Sequence, residues 1–170
     1  MLLLRLPNVL FGAMTIIVSY FALRLITTDP WTPALAASLV AFLPRFVFLS
    51  SFVTNDNLVD LLGAVLVFMA LRYSLAPNRR RMAAVGLAFG LLLITKLSAI
   101  PLVVILLLLA CLVTGWKRRV EYLGVGVAST LIVSGWYFVQ NTVRYGDPLA
   151  LGASANYLAK VNGLGALYGG

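Results

Sequence analysis

Long apolar stretches separated by short polar loops dominate this chain of 170 residues. A helix that crosses the hydrocarbon core of a bilayer needs about 20 apolar residues, with a range of about 17–25. Six stretches approach this length, at residues 8–26, 31–52, 57–75, 82–96, 98–115 and 120–143. The pattern therefore predicts an all-α fold, a polytopic transmembrane bundle of about six spans over residues 1–145. Residues 146–170 are predicted to begin an external loop that is truncated.

The stretch from residue 82 to 116 is ambiguous by length alone. It fits one long tilted helix or two short spans folded at Lys96-Leu97-Ser98. A single span would put the basic runs 79–81 and 117–119 on opposite sides of the membrane. Two spans return both runs to one side, as the positive-inside rule expects, so charge favours the hairpin.

We therefore expect a multi-pass protein of the cell inner (plasma) membrane with its basic loops cytoplasmic. Residues 53–57, 96–98 and 141 onward then face outward. An even number of spans also puts Met1 outside, although a complete inner-membrane protein more often begins inside. The sequence therefore predicts an internal fragment that lacks at least one upstream span.

Composition restricts the possible chemistry. The chain is 62% hydrophobic and 11% charged, with a mean hydropathy of +1.01, far above a soluble domain. The net charge of +8 is concentrated in two runs that set topology, so no nucleic-acid partner is expected. A single cysteine and no histidine exclude a disulfide, a thiolate cluster and a Ser-His-Asp arrangement. Any metal would need oxygen ligands.

Four charged residues are predicted near the external ends of the second, third and fourth spans. Asp56 and Asp60 are spaced i, i+4 and share one helix face, while Arg45 follows a proline and Lys96 ends the fourth span. An ionisable group at the centre of a span costs about 2.5–3.5 kcal/mol on insertion scales. These side chains are therefore expected to meet in one wet cavity that opens outward. With Asn55, they are candidate substrate-binding groups.

Two interpretations of this cluster stay open. Ion pairs of Arg45 with Asp60 and of Lys96 with Asp56 would only hold the helices in register. Alternatively, Lys96 or Arg45 receives an anionic group such as a lipid phosphate, and Asp56 is the best candidate ligand if the cofactor is a divalent metal.

The end of the last span adds Gln140, Asn141 and Arg144 to the candidate substrate-binding residues. Planar amides and a guanidinium suit sugar hydroxyls and phosphate oxygens. Ordinary solvation of a helix end would also explain them, just as an interfacial aromatic belt explains Trp136, Tyr137 and Tyr145.

Three polar segments resemble bacterial glycosyltransferase family 39, in the C-type superfamily that includes protein O-mannosyltransferases and aminoarabinose transferases. Each is short, and their order and spacing together carry the resemblance over about residues 8–148. They read Leu43-Pro44-Arg45-Phe46 through Ser50-Ser51-Phe52-Val53-Thr54-Asn55-Asp56-Asn57-Leu58, then Gly90-Leu91-Leu92-Leu93-Ile94-Thr95-Lys96-Leu97-Ser98-Ala99, and finally Trp136-Tyr137 through Asn141 with Tyr145-Gly146-Asp147-Pro148.

The resemblance implies an integral membrane transferase of hexosyl or pentosyl groups, with a polyprenyl-phosphate-linked sugar as donor on the external face. It implies that Asp56 and Asn55 line the cavity and that Lys96 lies near the donor phosphate. The family's catalytic carboxylate lies in a first external loop that this chain does not contain, and is expected upstream of Met1. Gln140 stands where the family commonly has arginine. Arg144, one turn later, would substitute for that arginine.

Two other functions are considered. One is a related, uncharacterised bacterial membrane protein that shares the Asn-Asp turn without transferase activity. The other is a transporter or flippase-like component with Asp60, Arg45 and Lys96 along a pathway. A transporter favours broken helices near the bilayer midplane and an internal repeat. No convincing repeat is present, and the polar groups gather at one face, which favours a surface active site.

Overall fold

The computed structural model describes residues 5–51, 54–150 and 152, and within them the chain is helical with no β-strand. The helices are α1 (Leu6–Arg24), α2 (Trp31–Ala41), α3 (Pro44–Ser51), α4 (Asp56–Leu75), α5 (Arg79–Thr95), α6 (Val103–Cys111) and α7 (Trp116–Tyr145). A 3-10 segment, Leu97–Leu102, joins α5 to α6. The all-α prediction is confirmed. Most of the predicted external loop, at 151 and 153–170, lies outside the described residues.

Three helices of the described chain are long and apolar enough to cross a membrane, namely α1, α4 and α7. Helix α2 and the segment 97–111 are apolar but shorter. A helix rises 1.5 Å per residue, so the 11 residues of α2 extend about 16 Å, roughly half of the hydrocarbon core. The structure thus supports a membrane protein, while the count of six spans stays a prediction.

Two predicted spans differ from the observed helices. The predicted span 31–52 is described up to residue 51, where it forms α2 and α3 with a break at Phe42 and Leu43. Pro44 causes this break, because proline disfavours the helical region for the residue before it and lacks an N–H. It fits the first position of α3, where no intrahelical donor is needed. The segment 98–115 likewise begins in the 3-10 conformation around Pro101 and becomes α-helical only at Val103.

The chain divides into two compact units, Met1–Val133 and Ser134–Gly170. In the first unit α1 packs against α2, α3 and α4, and α4 packs against α5. At the start of α2, the Asp29 carboxylate accepts hydrogen bonds from the Thr32 backbone N–H and hydroxyl, both at 2.7 Å. The Thr32 hydroxyl contributes most to holding the pKa of Asp29 below its ordinary value.

Helix α5 approaches the first-unit part of α7 through glycines. A Cβ on Gly86 would lie 2.9 Å from the Ser129 Cβ, and one on Gly90 would lie 2.8 Å from the Thr130 carbonyl oxygen. The Thr130 hydroxyl donates to the carbonyl of Gly86 at 3.0 Å. Glycines four residues apart and an interhelical hydroxyl are how helices associate in lipid, where close packing replaces the hydrophobic drive.

The two basic runs lie at the same end of the first unit. Arg79, the first residue of α5, forms an ion pair with Glu121 in α7. Arg81 donates to the carbonyls of Arg72 at 2.7 Å and Ala76 at 3.0 Å, so it satisfies the end of α4. The positive-inside argument predicted that both runs share a side. The side of the membrane they face stays a prediction.

Candidate functional site

A cavity of about 520 Å³ opens in the first unit between α1, α3 and α4. Its wall includes the four charged residues that the sequence pattern singled out, Arg45, Asp56, Asp60 and Lys96. The rest of the wall is formed by Thr15, Ser19, Val40, Leu43, Phe46, Leu49, Val59 and Ala64. The structure therefore brings together groups from three separate segments, as expected. The substrate-binding role assigned to them stays a prediction.

Breaks between helices position these side chains. Arg45 is the second residue of α3, which exists as a separate helix because Pro44 interrupts the preceding segment. Asp56 begins α4, and Asp60 follows one turn later on the same face. Lys96 ends α5 in an extended conformation, with φ −155° and ψ 114°. Each charged group thus lies at or near a helix end, where the backbone already departs from an unbroken span.

Lys96 and Asp56 form an ion pair, with 2.5 Å between Nζ and Oδ1. The Thr54 hydroxyl donates to the other carboxylate oxygen at 3.3 Å. The two charged side chains are 44% and 34% exposed, so solvent screens the pair and its net stabilisation is about 0–1 kcal/mol. A pair worth so little to folding is available to exchange partners with a charged ligand.

The second anticipated pair is absent. Among the described residues Arg45 and Asp60 form no ion pair with each other, although both line the cavity. The interpretation that the cluster only holds helices in register therefore accounts for Lys96 and Asp56 but leaves Arg45 and Asp60 without that role. An anion entering the cavity would meet one guanidinium and one ammonium, while a hydroxyl would meet two carboxylates.

The turn before α4 is held by its asparagines. The Asn55 amide donates weakly to the Thr95 carbonyl at 3.4 Å. Asn57 is 1% exposed, and its amide donates to the Leu49 carbonyl at 2.9 Å. Its Oδ1 atom is buried without a hydrogen-bond partner among the residues described. A buried amide oxygen of this kind is rarely left unpaired, so Asn57 has capacity for one more donor.

Sequence reasoning missed three of these polar positions. Thr15 and Ser19 in α1 line the cavity, and their i, i+4 spacing places both on one face of that helix. Isolated hydroxyls are common in transmembrane helices, so this spacing was a weak signal. Asn57 stood inside the Asn-Asp turn, but its burial depends on α3 folding back against α4.

The remaining candidates, Gln140, Asn141 and Arg144, belong to the second unit. Asn141 is 7% exposed, and its amide donates to the Pro148 carbonyl at 3.2 Å. Gln140 and Arg144 are exposed. Within its unit, Asn141 therefore holds the turn that follows α7, where Gly146 adopts φ +69°. The substrate-binding role of these three residues stays a prediction.

The cavity offers few ligands for a divalent metal. No group of three or more histidine, cysteine, aspartate or glutamate side chains with metal-binding geometry occurs in the part of the chain that the structure describes. The cavity offers two carboxylates, and Asp56 is already paired with Lys96. Hard divalent cations take six or more oxygen ligands, and two carboxylates supply too few of them to form a metal site by themselves.

Comparison with known proteins identifies a family. The family model described as dolichyl-phosphate-mannose-protein mannosyltransferase matches residues 1–138. Searches of curated proteins and of solved structures returned no match. The match covers most of the chain, including all of the cavity wall, and the chain belongs to this family of membrane glycosyltransferases.

Proposed function

We propose that this member of the dolichyl-phosphate-mannose-protein mannosyltransferase family provides the donor-binding part of a glycosyltransferase site. The cavity between α1, α3 and α4 would bind the phosphate and sugar of a polyprenyl-phosphate donor at the external face. The sugar is then transferred to an acceptor, with release of the lipid phosphate. The single observation that carries the proposal is the gathering of Arg45, Asp56, Asp60 and Lys96 in one cavity of an otherwise apolar chain.

The cations supply the electrostatic part of this reaction. Negative charge develops on the lipid phosphate as it leaves, and preorganised positive groups stabilise that charge more than they stabilise the bound donor. Lys96 and Arg45 are the cavity's two cations. In this proposal Asp56 holds Lys96 in position before the donor arrives, and Asp60 accepts hydrogen bonds from sugar hydroxyls. The base that activates the acceptor is a carboxylate outside these residues, as the family resemblance implies.

The first experiment measures sugar transfer in membranes that contain the Asp56→Asn variant. We expect transfer to fall by about 10–100-fold, the loss typical when a group that orients a metal ligand is removed, because Asp56 would orient Lys96 in a comparable way. Expression and insertion should stay unchanged because the ion pair contributes little to folding. Asp29→Asn is the matched control, since its side-chain oxygen still accepts from Thr32 and it is not part of the cavity wall. Full transfer by Asp56→Asn would remove Asp56 from the site.

A double-mutant cycle tests whether Lys96 and Asp56 take part in donor binding or only join helices. Lys96→Gln should lower transfer by about 10²-fold, as for loss of one transition-state donor. If the pair only joined helices, the double variant Asp56→Asn with Lys96→Gln would regain much of the lost activity, because neither partner is left uncompensated. We expect the double variant to be at least as inactive as Lys96→Gln alone.

A flippase-like component is the second candidate. The observation that favours it is the break between α2 and α3 directly before Arg45, because transporters bind substrates at discontinuous helices. Reconstituted vesicles distinguish the two functions. A flippase moves a fluorescent polyprenyl-phosphate sugar across the bilayer without consuming it, whereas a transferase needs an acceptor and releases lipid phosphate.

A further inference from the structure

The basic runs 79–81 and 117–119 contain three arginines with partners in the chain and three exposed side chains. Three arginines have partners within the chain: Arg79 pairs with Glu121, Arg81 donates to carbonyls at the end of α4, and Arg119 donates to the Val113 carbonyl at 2.9 Å. The other three, Arg80, Lys117 and Arg118, are exposed. Their side chains form no hydrogen bond or ion pair within residues 5–51 and 54–150. The positive-inside rule does not require these three side chains to lie near one another.

The ion pair of Arg79 and Glu121 joins the start of α5 to the first turns of α7. Lys117 and Arg118 precede Glu121 by four and three residues in α7, so the three side chains share one face of that helix. Because Arg79 pairs with Glu121, the start of α5 lies against the same face. Arg80 follows directly in the chain. These adjoining helix starts therefore carry four cations and one carboxylate, and an excess of positive charge remains for an external anion.

An exposed tryptophan indicates where these three cations lie relative to the bilayer. Trp116 is 77% exposed and immediately precedes Lys117. Exposed tryptophan at the end of an apolar helix is typical of the headgroup level of a bilayer. We propose that Arg80, Lys117 and Arg118, here called the basic patch, bind the phosphate of an anionic phospholipid in the adjacent leaflet. Clustered cations between membrane helices recognise such headgroups, and this proposal does not depend on the proposed transferase function.

Trp116 provides the reporter for the test. The full chain with Trp31→Phe and Trp136→Phe is reconstituted in nanodiscs of phosphatidylcholine that contain brominated phosphatidylglycerol or, for comparison, brominated phosphatidylcholine. Bromine quenches tryptophan fluorescence at short range. We expect brominated phosphatidylglycerol to quench Trp116 more strongly at the same mole fraction. Lys117→Gln with Arg118→Gln should lower the relative affinity about fivefold for each charge removed.

Two control variants make the test specific. Lys117→Arg with Arg118→Lys keeps the charge and should keep the preference. Arg5→Gln with Arg24→Gln removes the same charge from the two ends of α1, outside the basic patch, and should also keep the preference. The proposal is overturned if native protein is quenched equally by both lipids. It is also overturned if the Arg5 and Arg24 variant loses as much preference as the patch variant, which would show only a diffuse effect of net charge.

Discussion

Asn57 shows how one side chain links the fold to the cavity. It is fully buried, although asparagine is mostly exposed in proteins, and it donates to the Leu49 carbonyl near the end of α3. That bond connects α3, which carries Arg45, to α4, which carries Asp56 and Asp60. The position of the charged groups relative to one another therefore depends on a buried, uncharged residue.

Replacing Asn57 by alanine is expected to destabilise the protein. The Leu49 carbonyl loses its partner, which costs about 1–2 kcal/mol of unfolding free energy in a membrane protein. Denaturation by sodium dodecyl sulfate in mixed micelles measures the change. Asn55→Ala is the matched control, because its bond is long and exposed and its effect should stay within about 0.5 kcal/mol. Equal losses in the two variants would contradict the role given to Asn57.

At the scale of elements, close helix approach and helix breaks both shape the cavity. The packing of α5 on α7 depends on Gly86 and Gly90, where even a Cβ meets the opposite helix. This packing fixes α5, and Lys96 at its end, relative to the rest of the first unit. The break before Pro44 in turn creates α3 and places Arg45 on it.

Gly90→Ala should weaken the contact between α5 and α7. The added methyl group must displace the Thr130 backbone of α7, and such overpacking typically costs about 1–3 kcal/mol. Gly124→Ala is the control on α7, since nothing lies within 4 Å of its added Cβ, and alanine should be neutral or stabilising by up to about 1 kcal/mol there. Thermal unfolding in detergent compares the two. Similar melting temperatures for both variants would refute close packing at Gly90.

Pro44→Ala tests the break between α2 and α3. Without proline, Leu43 is free to adopt a helical conformation and the segment from Trp31 to Ser51 can form one helix. We expect Arg45 to leave the cavity and sugar transfer to fall, while Pro33→Ala, within the first turn of α2, leaves transfer unchanged. Accessibility of Arg45→Cys to a water-soluble thiol reagent, with and without Pro44→Ala, measures the displacement directly. Unchanged reactivity would show that tertiary contacts alone maintain the break.

At the scale of the first unit, polar chemistry is divided between opposite ends of α4 and α5. The cavity groups Asp56 and Lys96 lie at one end of these helices, and the basic run 79–81 lies at the other. A 20-residue helix spans about 30 Å, which matches the hydrocarbon core. We therefore predict that the two ends face opposite sides of a membrane.

Cysteine labelling tests this arrangement. In a Cys111→Ser background, Ala76→Cys and Thr114→Cys should react with a membrane-impermeant thiol reagent only from the cytoplasmic side. Ser98→Cys should react only from the external side. Labelling in sealed cells and in inverted vesicles separates the two sides. Reaction of Ala76→Cys and Thr114→Cys from opposite sides would exclude the hairpin at Lys96.

Apolar length by itself determined the all-α class, because a bilayer permits few other structures for such a sequence, and the three polar segments by their resemblance indicated the family. The placement of charge also identified the four charged cavity residues, since ionisable groups in apolar segments need a functional or structural partner. Only the tertiary structure decided that Lys96 pairs with Asp56 while Arg45 and Asp60 do not pair. It alone revealed the split of residues 31–51 into two helices and the burial of Asn57. Those outcomes depend on side-chain distances of a few ångströms between segments far apart in sequence, which hydropathy and spacing do not encode.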